Sequence, residues 1–362
     1  MSKLDDARKK INDIDKKMAA LFEERMKASE EVARYKQENG LSIYDPVREE
    51  ELIKKNSMLI NDDVLREYYI NFLKNNMEIS KQYQSRLNKG MKVAYSGLEG
   101  AYAHIACMKM YKDANYVSYK SFEDAYNACM SGECDICVLP IENSYAGEVG
   151  QVMDLIFNGS LYINQIIDLE INHCLLGKKG SNIKDIKTVV SHPQALSQCN
   201  EYIKKHNFKT IELENTALAS LKVSSGDDYS LASIGSSDTQ ALYDLEILES
   251  NINASRNNTT RFAAFSRSLN KDLSKGEMGK HFIMVFTVKN EAGALAQTLN
   301  IIGSHNFNMR SLRSRPMKSL LWNYYFYVEL DGDINTSDGK EMMKALEVFC
   351  DKLKLVGTYK TH

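Results

Sequence analysis

The chain contains no apolar run of membrane-spanning length, which argues against a transmembrane helix. Its start, Met1-Ser-Lys-Leu-Asp-Asp-Ala-Arg8, carries acids where a secretory leader needs apolar residues, so a cytoplasmic location is expected. Charge of one sign is also lacking. The formal net charge of -2 creates no field that would gather nucleic acid or an anionic membrane, and small-molecule partners are expected instead. The 7 cysteines are odd in number and scattered, which argues against a disulfide framework. Cys134 and Cys137 form a C-x-x-C without a second pair, at the start of an expected strand from Cys134 to Ile141, and read as small core residues. No metal is expected. A dinucleotide loop is missing as well. Gly97-Leu-Glu-Gly100 follows a strand, but G-x-G-x-x-G is absent and no acid is placed to hold a ribose, so no cofactor is expected. That segment reads as a tight turn into a helix whose start is open to an anion. Long repeats and low-complexity segments are absent.

What is present points to several domains, since 362 residues exceed what one core usually serves. From Leu4 to Tyr35 apolar residues recur at steps of three and four, predicting a long helix with a heptad-like seam. Arg25 stands in that seam. Asn39-Gly40 closes the helix, Asp45-Pro46 opens a second with a capping side chain, and a third runs from about Asp62 to Leu87. Three long helices with few aromatics bury little in one copy, so an intertwined dimer is expected for this all-α region, residues 1–88.

After Gly90 strands and helices alternate to about Leu269, an α/β pattern over 91–269. The stretch Asn270 to Gly279 reads as a linker. Beyond it the order is strand (His281–Val288), helix (Ala294–Ser304), strands (Met309–Met317 and Asn323–Leu330), helix (Gly339–Leu353) and strand (Leu355–Tyr359). This βαββαβ order predicts a ferredoxin-like region over 280–362.

Arg25 and Lys36 are 11 residues apart, so they project from nearly one helix face about 16 Å apart and could span a small anion. Arg8 lies about 25 Å from Arg25 and cannot reach that ligand, so any role for it needs an antiparallel helix of a second copy. Asp45, Arg48 and Glu49 form a charged cluster, and Ser80 with Gln84 repeats the i, i+4 spacing on the third helix. A cation in an apolar seam is costly unless paired or held against an anion. In this order and spacing, these residues over about 3–87 resemble the AroQ-type chorismate mutases. The resemblance implies a helical dimer that rearranges chorismate to prephenate without a nucleophile or metal. It implies that Arg25, Arg48 and the partner subunit's Arg8 bind carboxylates. Lys36 and Gln84 would face the ether oxygen, Asp45 and Glu49 would hold the hydroxyl, and Ser80 would add a lesser contact.

Three polar segments follow strands in the α/β region: Pro140-Ile-Glu142-Asn143-Ser144, Ser191-His-Pro-Gln194 and Asn257-Asn-Thr-Thr260-Arg261-Phe262. Open α/β sheets place their sites at such strand ends. With Gly97-x-x-Gly100-Ala-Tyr, these blocks over about 91–268 resemble prephenate dehydratase, which implies two α/β subdomains, like periplasmic binding proteins, around a cleft. Leu98, Cys137 and Leu231-Ala-Ser-Ile-Gly235 depart from the family pattern. The reaction turns prephenate into phenylpyruvate with loss of carbon dioxide and hydroxide, so a donor must meet the leaving oxygen. Thr260 is expected to supply it and Arg261 to anchor a carboxylate, with Glu142, Asn143, Ser144 and Gln194 ordering the pocket.

In the last region, Asn290-Glu-Ala-Gly293-Ala294-Leu295 lies at the first strand-helix turn and Arg313-Ser314-Arg315-Pro316 in the second strand. These resemble the ACT domain of dehydratases, which implies feedback inhibition by phenylalanine bound at a subunit interface, and an even-numbered homo-oligomer. Arg313 replaces the glutamate of the commoner family form. A non-catalytic amino-acid sensor would explain the architecture but not the cationic seam. A dehydratase preferring arogenate remains open, and a dehydrogenase is disfavoured by the missing loop.

Overall fold

The computed structural model describes residues 3–39, 41–254, 258–269, 280–317 and 323–360. The expected linker at 270–279, with Gly40 and Asn257, lies outside the described residues. The chain divides into two compact units, residues 1–92 with 113–115, and 93–112 with 116–362.

The first unit is three helices: α1 (Lys3–Glu38), α2 (Pro46–Ser57) and α3 (Asp63–Lys89). Side-chain caps set two starts, Asp45 accepting from Arg48 N at 3.0 Å and Asp62 from Leu65 N at 2.9 Å. At 36 residues α1 is about 54 Å long, yet of its residues only Ser29 and Ala33 are buried. Leu4, Ile11, Ile14, Met18, Leu21 and Phe22 stay exposed. The heptad-like stripe is thus exposed along its length, Ala28, Val32 and Tyr35 included, and the face that packs in this unit is the neighbouring one at Ser29 and Ala33.

In the second unit one lobe is built from β1 (Lys92–Ser96), α4 (Tyr102–Met110), β2 (Asn115–Tyr119), α5 (Phe122–Ser131), β3 (Ile136–Asn143), β4 (Gly147–Glu148), α6 (Gly150–Asn158) and β5 (Tyr162–Glu170). The chain then crosses to β6 (Cys174–Lys178), β7 (Thr188–Ser191), α7 (Pro193–Gln198), α8 (Asn200–His206), β8 (Lys209–Glu212), α9 (Thr216–Ser225), β9 (Leu231–Gly235), α10 (Thr239–Leu242) and β10 (Leu245–Glu249). It returns as β11 (Thr259–Ser266), which inserts between β5 and β3. The two crossovers are laced together: Ile171 N donates to Asn258 O at 2.8 Å, Ile252 N to His173 O at 3.0 Å, and His173 N to Asn253 Oδ1 at 2.7 Å. The second lobe has its own sheet, in the order β10-β6-β9-β7-β8.

The C-terminal region follows as β12 (Lys280–Val288), α11 (Ala294–Ser304), β13 (Met309–Pro316), β14 (Tyr324–Asp331), α12 (Ser337–Phe349) and β15 (Cys350–Lys360). Its strand order, β13-β14-β12-β15, continues into the first lobe as β5-β11-β3-β1-β2. The junction is a parallel bridge of Gly357 to Ile163, so close that a Cβ on residue 357 would stand 1.9 Å from the Ile163 carbonyl oxygen. Strand β12 is buried on both faces. Phe282, Met284 and Phe286 pack with Ile302, Met342 and Leu346 of α11 and α12, while Ile283 and Val285 join a core with Ile141, Met153 and Phe157 of the first lobe. That double burial explains its unbroken apolar run.

Two boundaries differ from the sequence expectation. Strand β3 starts at Ile136, leaving Cys134 in the turn before it, and runs on through Asn143, because β11 pairs with it as far as Thr260 opposite Asn143. Helix α12 ends at Phe349 because β15 begins at Cys350, paired with Val288.

Polar groups also join the C-terminal region to the first lobe. Arg261 of β11 donates to both carboxylate oxygens of Glu329 on β14, at 2.9 and 3.0 Å, and Tyr359 donates to the same carboxylate. The Glu329 side chain is 1% exposed. Burial pushes its carboxyl up, but Arg261, Tyr359 and Arg310 together outweigh burial and hold it below the ordinary 4.5. The stability this pair contributes is therefore complete above that value and lost as pH falls through the lowered one. Replacing Glu329 by Ala leaves the half-buried Arg261 guanidinium with no carboxylate nearer than Glu142 and Asp168 at 3.6 Å, and is expected to destabilise this unit by about 2–3 kcal/mol in urea denaturation. An unchanged midpoint would mean that water or another carboxylate satisfies Arg261.

Candidate functional sites

In the helical unit, Arg25, Lys36, Asp45, Arg48, Glu49, Ser80 and Gln84 line one cavity of about 300 Å³. Arg25 is held by α3, donating to Ser80 Oγ and to Asn76 O at 3.3 Å, and its burial lowers its pKa. Lys36 Nζ donates to Ile43 O at 2.7 Å, which folds the segment after α1 back over the cavity. Asp45 is also the cap of α2. Two further polar residues line this cavity that spacing had not singled out. Lys81 lies 3.2 Å from Glu49 and over the Tyr44 ring, and Ser29 Oγ lies 2.9 Å from Gln84 Nε2. Lys81 could have been found from its i, i+3 relation to Gln84. Gln84 Oε1 is buried without a partner among the described residues, so this amide has capacity left for a ligand. Arg8 is exposed and does not line the cavity.

In the second unit a cleft of about 410 Å³ opens between the lobes, lined by Asn143, Gln194 and Thr260 and by the starts of α4 and α9. Asn143 organises it. Its Oδ1 accepts from Tyr145 N at 3.0 Å and Ala146 N at 2.9 Å, and backbone amides only donate. The amide orientation is thereby fixed. Its Nδ2 must then donate to Thr260 Oγ1 and to Asn258 Oδ1, each at 2.8 Å. Because Thr260 Oγ1 accepts that bond, its own hydrogen is left to donate elsewhere.

The same logic runs further. Asn258, with its oxygen engaged by Asn143, donates through Nδ2 to Gln198 Oε1 at 2.9 Å, and His173 Nε2 lies 2.8 Å from the same oxygen. Gln198 and His173 also line the cleft. Neither was identified from sequence, because each sits in a separate segment and gains meaning only through Asn258.

Arg261 and Glu142 do not line the cleft. On β11 and β3 they alternate with Thr260 and Asn143, so they face the C-terminal region. Arg261 is committed to Glu329, and Glu142 to Arg313, with Arg261 at 3.6 Å. The expected carboxylate anchor therefore points away from the cavity. What the cleft offers an anion instead is the N-terminal ends of α4 and α9, together with Lys120. Ser144 lines a neighbouring cavity of about 360 Å³ and accepts from Thr259 N at 3.0 Å.

In the C-terminal region, Gly293 takes φ 86° at the start of α11, followed by Ala294 and Leu295, with Asn290 exposed just before. On β13, Arg313 and Arg315 face the first lobe, Arg315 pairing with Glu148 and, at 3.4 Å, with Asp154. Ser314 and Pro316 are exposed. The reversed charge at position 313 thus meets an acid.

Two family models match the chain: chorismate mutase type II over residues 7–85 and prephenate dehydratase over residues 93–270. These are the two classes that the helical cavity and the two-lobed cleft define, joined in one polypeptide. The bifunctional chorismate mutase/prephenate dehydratase of Buchnera aphidicola subsp. Acyrthosiphon pisum is 31% identical over 97% of this chain and 95% of its own. The chain belongs to that bifunctional family. Among solved structures, the prephenate dehydratase of Staphylococcus aureus subsp. aureus Mu50 is 26% identical with a TM-score of 0.64, over 75% of this chain and 100% of that one. A prephenate dehydratase from Arthrobacter aurescens in complex with L-Phe shares the fold, at 24% identity and a TM-score of 0.69 over 75% of this chain and 90% of that one.

The Arg313–Glu142 pair makes a clean test. Arg313→Glu sets two carboxylates together and is expected to lower the melting temperature by about 2–4 °C, for a cost near 1 kcal/mol. Adding Glu142→Gln removes that repulsion without setting a cation against Arg261, which lies 3.6 Å from Glu142, and should recover part of the loss. Equal melting of the single and double variants would show that the pair contributes nothing.

Proposed function

We propose that the chain rearranges chorismate to prephenate in the helical unit, residues 1–88, and converts prephenate to phenylpyruvate in the two-lobed region, residues 91–269. The observation that carries the second step is the fixed polarity of Asn143, which leaves the Thr260 hydroxyl hydrogen free beside the cleft.

For the rearrangement, catalysis has to come from orientation and fixed charge, since no covalent partner is needed. Arg25 and Arg48, completed by the partner subunit's Arg8, bind the two carboxylates. Lys36 and Gln84 stabilise charge growing on the ether oxygen, and Asp45 and Glu49 hold the hydroxyl. Ser80 acts by holding Arg25. The exposed apolar stripe of α1 supports a dimer in which a second α1 covers it.

For the dehydration, the carbon–carboxylate bond breaks and its electron pair flows into the ring as the ring carbon–oxygen bond breaks. Carbon dioxide and hydroxide leave; the hydroxide takes a proton through Thr260, which regains one from solvent, and departs as water. Gln194 and Gln198 order the substrate, and the helix starts of α4 and α9 meet its carboxylates. Arg261 and Glu142 brace the catalytic strands from behind.

The C-terminal region, residues 280–362, is read as an ACT module that takes phenylalanine at Asn290, Gly293, Ala294, Leu295 and Ser314. A protein of the same fold binds L-Phe. Arg313 and Arg315 act in this reading through the dehydratase carboxylates they hold. The assembly is expected to be an even-numbered homo-oligomer working in the cytoplasm.

Purified protein given chorismate alone should release phenylpyruvate. Thr260→Ala should stop at prephenate, and Lys36→Ala should consume no chorismate at a comparable rate. Phenylpyruvate formation by Thr260→Ala at the wild-type rate would overturn the dehydratase assignment. Phenylalanine should inhibit below millimolar concentration, and a flat titration would overturn the sensing role.

A further inference from the structure

We propose that His173 is a positioning residue of the dehydratase, held as the neutral Nε2–H tautomer so that it locks the Gln198 amide with its NH2 group turned to the cleft. The proposal rests on the dehydratase reading above and adds a residue to it.

The tautomer follows from the hydrogen-bond polarity already described. Two backbone amides orient Asn143, Asn143 orients Asn258, and Asn258 presents its NH2 to Gln198. The Gln198 atom that receives it must therefore be Oε1. His173 Nε2 approaches that same oxygen at 2.8 Å, so it has to carry a hydrogen. The other ring nitrogen, Nδ1, faces Tyr102 OH at 3.2 Å, which also lies 3.1 Å from Asn172 O. The single Tyr102 hydroxyl hydrogen has two acceptors in reach, Asn172 O and a bare Nδ1, and donates to one of them at a time. Burial lowers the His173 pKa, against the opposing bond from Gln198, which keeps the ring uncharged near neutral pH.

With two donors converging on Oε1, the Gln198 amide cannot turn over without setting NH2 against NH2. Its nitrogen is thereby left to the cleft, where an anionic substrate needs donors. Location gives this lock a second consequence. His173 sits on one crossover between the lobes and Asn258 on the other, while Gln198 belongs to the second lobe and Asn143 to the first. The chain of bonds from Tyr102 to Thr260 therefore runs across the hinge. The orientation of Gln198 and that of Thr260 are set together by the angle between the lobes.

His173→Phe keeps a ring but removes the donor. Dehydratase kcat is expected to fall by about 10–100-fold, the size of effect that a misplaced positioning group produces, with KM changed less than about threefold. His173→Gln, which returns a side-chain N–H at a similar reach, should recover most of the loss. Mutase turnover in the same samples should stay at the wild-type value. In wild-type protein, ¹⁵N spectra of labelled histidine should show His173 as the Nε2–H tautomer between pH 6 and 8. An Nδ1–H tautomer, or wild-type dehydration by His173→Phe, would overturn the proposal. If wild-type protein itself forms no phenylpyruvate from prephenate, the dehydratase reading fails instead, and the NMR result still decides the tautomer.

Discussion

The second unit depends on one strand step. Thr260 and Arg261 are adjacent on β11, and the pleat sends them to opposite faces. Thr260 meets Asn143 beside the cleft, while Arg261 forms a two-pronged ion pair with the buried carboxylate of Glu329. Such a pair stands in a low-dielectric setting only if both partners are satisfied, so β11 and β14 cannot separate without stranding a charge. The strand that presents the hydroxyl is thereby tied to the C-terminal region.

Strand β3 repeats the arrangement directly opposite, with Asn143 toward the cleft and Glu142 toward Arg313. The C-terminal sheet thus grips the backs of both strands whose fronts carry the polar chain of the cleft. Arg315 extends the grip to Glu148 and Asp154. In this light Arg313 is a matched half of an ion pair, and the departure from the commoner glutamate has a local structural reason.

The helical unit was the most legible part. Helix spacing is a short-range property, so it paired Arg25 with Lys36, clustered Asp45, Arg48 and Glu49, and paired Ser80 with Gln84; grouping the three sets into one site came from the family resemblance, and the cavity brings them together. Ser29 escaped because a serine on a helix has no pattern of its own, and Lys81 because its one signal was the i, i+3 relation to Gln84. In the α/β region the motif blocks marked the right segments, but strand phase was not readable from them. Pairing with β11 extended β3 through Asn143, and it put Arg261 and Glu142 on the face away from the cleft.

The sequence by itself determined the element order, the cationic seam of α1, the capping of α2 and α3 and the polar blocks at strand ends, because each is set by neighbours a few residues away. Only the tertiary structure decided which face of β11 and β3 lines the cleft, and that Gln198, His173 and Asn258 form a single hydrogen-bonded chain. Those outcomes hinge on contacts between distant segments, 115 residues apart for Asn143 and Asn258 and 171 for Glu142 and Arg313, and on amide polarity that only a complete set of partners can settle.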